Sequence, residues 1–175
     1  IRVGMYGSLP RNLTEFRGEL FFSAIGDLNH PGAPAGRELW RTDGTVAGTR
    51  MVADISPGVV NSIARSSDPN QMFQFRNRLY FAARDENHGL ELWVTDGSRN
   101  GTKLLLDINT GVDDSHPHGF KRLGDRFVFV ATGSKTGTEL YVSDATAAGT
   151  TRIDIRKGPG SGFPKWHTHA DKVFG

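Results

Sequence analysis

Apolar residues in this chain come in short bursts, not at helical spacing. Leu20-Phe21-Phe22, Leu79-Tyr80-Phe81 and Phe127-Val128-Phe129 are each followed, after a polar stretch, by Glu38-Leu39-Trp40, Glu91-Leu92-Trp93 and Glu139-Leu140-Tyr141. No segment sustains the 3.6-residue period of an amphipathic helix, so the pattern predicts almost no helix. Short runs rich in aromatic and aliphatic residues, bounded by Gly, Asp, Asn and Pro, read as strands.

The bursts are copies of one unit. The central Leu of the second motif recurs 53 and then 48 residues on, at Leu39, Leu92 and Leu140. Each copy runs into Asp43-Gly44, Asp96-Gly97 or Asp144-Ala145, then into Gly48-Thr49, Gly101-Thr102 or Gly149-Thr150. Val52-Ala53-Asp54-Ile55, Leu105-Leu106-Asp107-Ile108 and Arg152-Ile153-Asp154-Ile155 follow in the same phase, the last with a one-residue gap. Pro10, Pro69, Pro117 and Pro164 stand three residues before Leu13, Met72, Phe120 and His167, the first positions of successive units. A further copy opens at Ala170-Asp171-Lys172-Val173-Phe174.

Each unit reads as four strands, as in Met72–Phe75, Leu79–Ala83, Leu90–Thr95 and Lys103–Ile108. Tight turns join the first pair and an Asp-Gly hairpin joins the last. Four antiparallel strands in a unit of ~45–50 residues are the mark of a β-propeller blade. The fold class expected is therefore all-β and propeller-like. One segment over 1–175 holds three complete blades, about 13–55, 72–108 and 120–155, plus part of a fourth at 167–175. A blade buries both faces only by stacking. The succession Leu104-Leu105-Leu106 fits a sheet covered on both sides, and Trp40, Trp93 and Tyr141 supply flat rings for contact between blades. Closed propellers have ~4–8 blades, so the expectation is a segment of a larger protein or one completed by assembly. Two insertions, within Asp27–Gly36 and Ser56–Gln71, break the repeat and are candidate functional loops.

The run Glu38-Leu39-Trp40 through Thr42-Asp43-Gly44-Thr45 to Gly48-Thr49, with Asp54-Ile55 and Pro57-Gly58 behind it, resembles the ELWxxDGT repeat family. The likeness covers nearly the whole chain, with departures at Ser98, Thr110, Tyr141 and Ala145. It implies propeller-like repeats in a large secreted or cell-surface protein. It brings no catalytic activity, since the repeated residues look structural.

Composition narrows the chemistry. A net charge of +2 on 175 residues excludes a dominant basic or acidic face, so nucleic acid is not an expected partner. Arg11, Arg17, Arg76, Arg78, Lys121 and Arg122 read as solvated charge. The absence of Cys excludes disulfides, thiol catalysis and thiolate metal sites. No run approaches the ~20 apolar residues of a membrane helix, and membrane insertion is not expected. There is no phosphate-binding Gly-x-x-x-x-Gly-Lys motif and no Gly-x-Ser-x-Gly elbow.

Four sets of residues are candidates for a site. Asp43, Asp96 and Asp144 read as hairpin turn residues whose carboxylates accept backbone N–H groups, with a Ca²⁺ or carbohydrate contact as the alternative. Glu38, Glu91 and Glu139 recur in every unit, which suits a satisfied structural position better than a catalytic base. His116 and His118, with His167 and His169, occupy equivalent connections, and their imidazoles can converge on a transition metal. Asn12-Leu13-Thr14 and Asn100-Gly101-Thr102 are N-glycosylation sequons. No cofactor is otherwise expected. The functional expectation is a non-catalytic structural or protein-interaction scaffold, whose partner is the remainder of its own protein or other copies. The alternatives are a carbohydrate- or metal-binding module using the His-rich connections, and part of a propeller enzyme whose active site is completed elsewhere.

Overall fold

The computed structural model describes residues 7–26 and 36–155. Among these there is no helix; the chain is built of antiparallel strands. The first sheet comprises β1 (Arg11–Phe16), β2 (Glu19–Ile25), β3 (Arg37–Thr42) and β4 (Arg50–Ala53). A two-stranded hairpin, β5 (Val59–Val60) and β6 (Ile63–Ala64), lies in the connection that follows. The second sheet comprises β7 (Asn70–Phe75), β8 (Arg78–Asp85), β9 (Gly89–Thr95) and β10 (Lys103–Leu106). The third comprises β11 (His118–Leu123), β12 (Arg126–Gly133), β13 (Gly137–Ser143) and β14 (Thr150–Ile153). Within each four-stranded sheet, neighbours in sequence are neighbours in space. The expected fourth unit at 167–175 and most of the insertion in Asp27–Gly36 lie outside the described residues.

The three sheets share one register. Phe22 faces Trp40, Phe81 faces Trp93 and Phe129 faces Tyr141; two pairs further along, Ala24, Ala83 and Ala131 stand opposite Glu38, Glu91 and Glu139. First strands begin two residues earlier than the sequence pattern predicts, at Arg11, Asn70 and His118. The reason is a bulge: Asn12, Gln71 and Gly119 have φ of 57°, 55° and 68°, and pairing shifts across the same step in each sheet. Such an extra residue bends the strand and interrupts its alternation, which hides the strand's start in the sequence.

Side chains from adjacent sheets form shared cores. Phe16, Phe21 and Leu39 of the first sheet, with Ile55 just beyond β4, pack with Leu79, Phe81, Ala83 and Trp93 of the second. The opposite face of the second sheet contributes Phe75, Tyr80, Leu92 and Val94, which pack with Phe120, Phe127, Phe129 and Tyr141 of the third. Rings interlock there, Tyr80 lying 4.8 Å from Phe127 and Phe129 5.3 Å from Tyr141 between centroids. Leu104 joins the first core and Leu105 the second, so the apolar succession in β10 does serve two faces. Between sheets, the close strand neighbours among the described residues are β1 with β7 and β7 with β11. The sheets therefore draw together along their first strands.

Candidate functional site

The repeated hairpin between strands three and four is held by its own side chains. Asp43 Oδ1 accepts from Thr45 N at 2.9 Å and from Thr45 Oγ1 at 2.7 Å. Thr45 Oγ1 in turn accepts from Gly48 N, and Thr49 Oγ1 donates to Thr45 O. Asp96 repeats the arrangement with Ser98, and Asp144 with Thr146. The departure at Ser98 thus keeps the hydroxyl that matters. These donors hold all three carboxyls below the usual range. A hydroxyl pair closes each hairpin at 2.7 Å: Thr42 with Thr49, Thr95 with Thr102, Ser143 with Thr150. Each hairpin offers one carboxylate, already engaged, whereas Ca²⁺ takes ~6–8 oxygens. Among the described residues no three His, Asp or Glu side chains cluster to hold a metal.

The repeated glutamates are fully buried. Glu38 accepts from Ile55 N at 2.9 Å, Ser67 N at 3.0 Å and the Ser67 hydroxyl. Glu91 accepts from Ile108 N at 2.8 Å and Ser115 Oγ at 2.6 Å. Burial raises both carboxyls to about 7, against the donated hydrogen bonds that favour the charged form. Ser67 and Ser115 stand on the connections to the next sheet. Their carbonyls accept from Arg84 N and Thr132 N of that sheet, at 2.9 and 2.8 Å. Glutamate and serine together fasten each sheet to its successor. The serines were not among the candidates from sequence, yet their signal is present: Ser8, Ser67 and Ser115 each precede the recurring Pro by two residues.

The arginine turns make a second fastening. Arg17 Nε donates to Asn77 Oδ1 and its Nη1 to Asp96 O, both at 2.8 Å and both in the second unit. Arg76 Nη2 donates to Asp125 O of the third unit at 2.9 Å. These two cations, read from sequence as solvated charge, bridge neighbouring units.

His116 and His118 line an open cleft of about 190 Å³ with Asn70, Gln71, Leu90 and Pro117, where β7 and β11 begin. His118 Nδ1 donates to His116 O at 2.8 Å, and His116 Nε2 lies 3.7 Å from Asp114 Oδ2. His116 and Gln71 have φ of 50° and 55°, but so do their counterparts Asp68 (46°) and Asn12 (57°), so the strain belongs to the unit and not to this cleft. Asp114 itself caps Leu90 N at 2.7 Å and pairs with Arg84 at 3.0 Å. His167 and His169 lie outside the described residues.

Asn100 is exposed at its hairpin tip. Asn12 is also exposed, but its Nδ2 donates to Pro69 O at 3.0 Å and to Ser23 Oγ at 3.3 Å, so a glycan there would displace one of these bonds. Trp93 lies in the first shared core and Tyr141 in the second, while Trp40 packs with Phe22, Ala24 and Met51 on the far face of the first sheet.

No family model and no curated protein matches this chain. Among solved structures it is similar to Bacteroides ovatus Xyloglucan PUL GH43B, with 14% identity and a TM-score of 0.45. That similarity covers 85% of this chain, which spans 28% of the other.

Proposed function

We propose that this chain is a β-propeller segment serving as a non-catalytic structural or protein-interaction scaffold in a secreted or cell-surface protein of the ELWxxDGT repeat type. The observation that carries this reading is the employment of the recurring charged residues. Glu38, Glu91, Arg17 and Arg76 each bind the unit that follows or the connection to it. Sheets that share cores and draw together along their first strands fit blades arranged around an axis.

The partner surface in this reading includes the β5–β6 hairpin. Val59, Val60 and Ile63 are 52%, 49% and 72% exposed there, an apolar tip suited to a protein neighbour. The test is an assay of the purified chain against a panel of aryl glycosides, alongside Glu91→Gln. A scaffold gives no turnover, and Glu91→Gln alters stability alone. Hydrolysis that Glu91→Gln abolishes in a folded protein overturns the proposal.

A second reading, a carbohydrate- or metal-binding module, is favoured by the cleft that His116 and His118 share with Asn70 and Gln71. Chemical-shift changes at these residues on titration with Zn²⁺ or a monosaccharide series would support it.

A further inference from the structure

Equivalent positions on the three sheets differ in how well they are covered. Ile55 is buried in the core shared by sheets one and two, its counterpart Ile108 packs against the core shared by sheets two and three, and Ile155 is 59% exposed. Phe21 and Leu39 of the first sheet are buried beneath the second, and Tyr80 and Leu92 of the second beneath the third. At the same register the third sheet carries Val128 and Leu140, both half-buried, with Val130 and Val142 beside them. These belong to no core cluster among the described residues.

The buried glutamate follows the same series. Glu38 and Glu91 each receive a serine hydroxyl from the connection to the next sheet. Glu139 is fully buried, its Oε2 accepts from Ile155 N at 3.4 Å, and its Oε1 has no partner among the described residues.

We infer that the outward face of the third sheet, around Val128, Val130, Leu140 and Val142, is the seat of a fourth four-stranded unit of this repeat in the same polypeptide. The inference rests on the stacked reading above. Twice in this molecule the same face in the same register is covered by the next unit in sequence. The repeat signature also returns after the third unit, at Pro164 and at Ala170–Phe174. Phe21 and Trp93 belong to one shared core, and Tyr80 and Tyr141 to the next, so each core takes its ring residue from the following unit. The Arg17 and Arg76 fastening is not repeated, because Gly124 occupies that place in the third unit.

The test extends the whole chain. Residues Phe81–Asn109, the rest of the second unit with its Trp93, are joined after Phe174, and thermal unfolding is compared with that of the 175-residue chain. Seating of the added unit is expected to raise Tm by about 5 °C or more. Leu140→Lys, and separately Val130→Lys, should each leave the unextended chain nearly unchanged and cancel that rise. A Trp93→Ala change within the added copy should cancel it as well. No rise, or a rise that survives both lysines, overturns the proposal. So does a concentration-dependent dimer of the unextended chain that either lysine dissolves, since the occupant is then a second copy. Glycoside turnover would overturn the scaffold reading and leave this comparison untouched.

Discussion

Gly101 lies outside the left-handed region, yet it admits no side chain. A Cβ there would lie 2.0 Å from Asp96 Oδ1, and Gly48 and Gly149 stand in the same relation to Asp43 and Asp144. The Gly-Thr pair that marks each repeat is thus dictated by a carboxylate five residues earlier. Gly101→Ala is expected to expel the Asp96 side chain and break its bonds to Ser98, a loss of about 1–2 kcal/mol for a hairpin that faces water. Urea unfolding of the variant measures it. Asp96→Ala alone should cost a similar amount, and the double variant scarcely more than either, because both act on one contact. The sequence made these aspartates legible as turn residues because their position after each Trp or Tyr is fixed. It did not reveal that the hydroxyl at Thr45, Ser98 and Thr146 accepts and donates at once, since Ser and Thr are too common for two substitutable letters to stand out.

The connections between sheets are the elements on which the glutamates act. Folded, Glu38 and Glu91 titrate at about 7, above their ordinary value of 4.5. Between those values the folded chain holds protons that the unfolded chain has released, so stability falls as pH rises from about 4.5 through 7. The loss can reach on the order of 3 kcal/mol for each group. Melting temperature followed from pH 5 to pH 8 should therefore decline, and Glu38→Gln should flatten part of the slope at a roughly constant cost, since all three partners of that carboxylate are donors. An unchanged slope in Glu38→Gln would assign the pH dependence to other groups. At this scale the strands of each unit were legible from their aromatic bursts and turns. The β5–β6 hairpin was not expected, although Val59-Val60-Asn61-Ser62-Ile63-Ala64 carries its signal. Asn61 and Ser62 adopt φ of 51° and 65° between β-branched residues, a two-residue hairpin turn.

At the scale of the whole molecule, the shared cores among the described residues each join consecutive sheets, so stability is a sum of unit and interface contributions. Tyr80→Ala empties the core between the second and third sheets, and Phe21→Ala the core between the first and second. Each should cost about 3–5 kcal/mol. The two should differ in where the chain opens. Hydrogen exchange should accelerate across β11–β14 in Tyr80→Ala with β1–β4 still protected, and the reverse in Phe21→Ala. Uniform acceleration in either would mean that the three sheets open as one cooperative body. Stacking was legible from the repeat itself, because a sheet with two apolar faces has no other way to bury them. The fastening by Arg17 and Arg76 was not, since a cation in a turn has no sequence mark that separates a bridge from solvated charge.

The pinned hairpins also bear on how the chain ages. An Asp followed by Gly is the backbone junction most prone to isomerise, by attack of the glycine nitrogen on the aspartate carboxyl to form a cyclic imide. Two such junctions lie here, Asp43-Gly44 and Asp96-Gly97. In both, the carboxylate is committed to the residue two further on, while the glycine N–H is given to the hydroxyl of Thr42 or Thr95. Nucleophile and electrophile are each occupied elsewhere for as long as the hairpin stays closed. Covalent wear at these sites is thereby coupled to local opening, and the bonds that shape the repeat also guard its most fragile links.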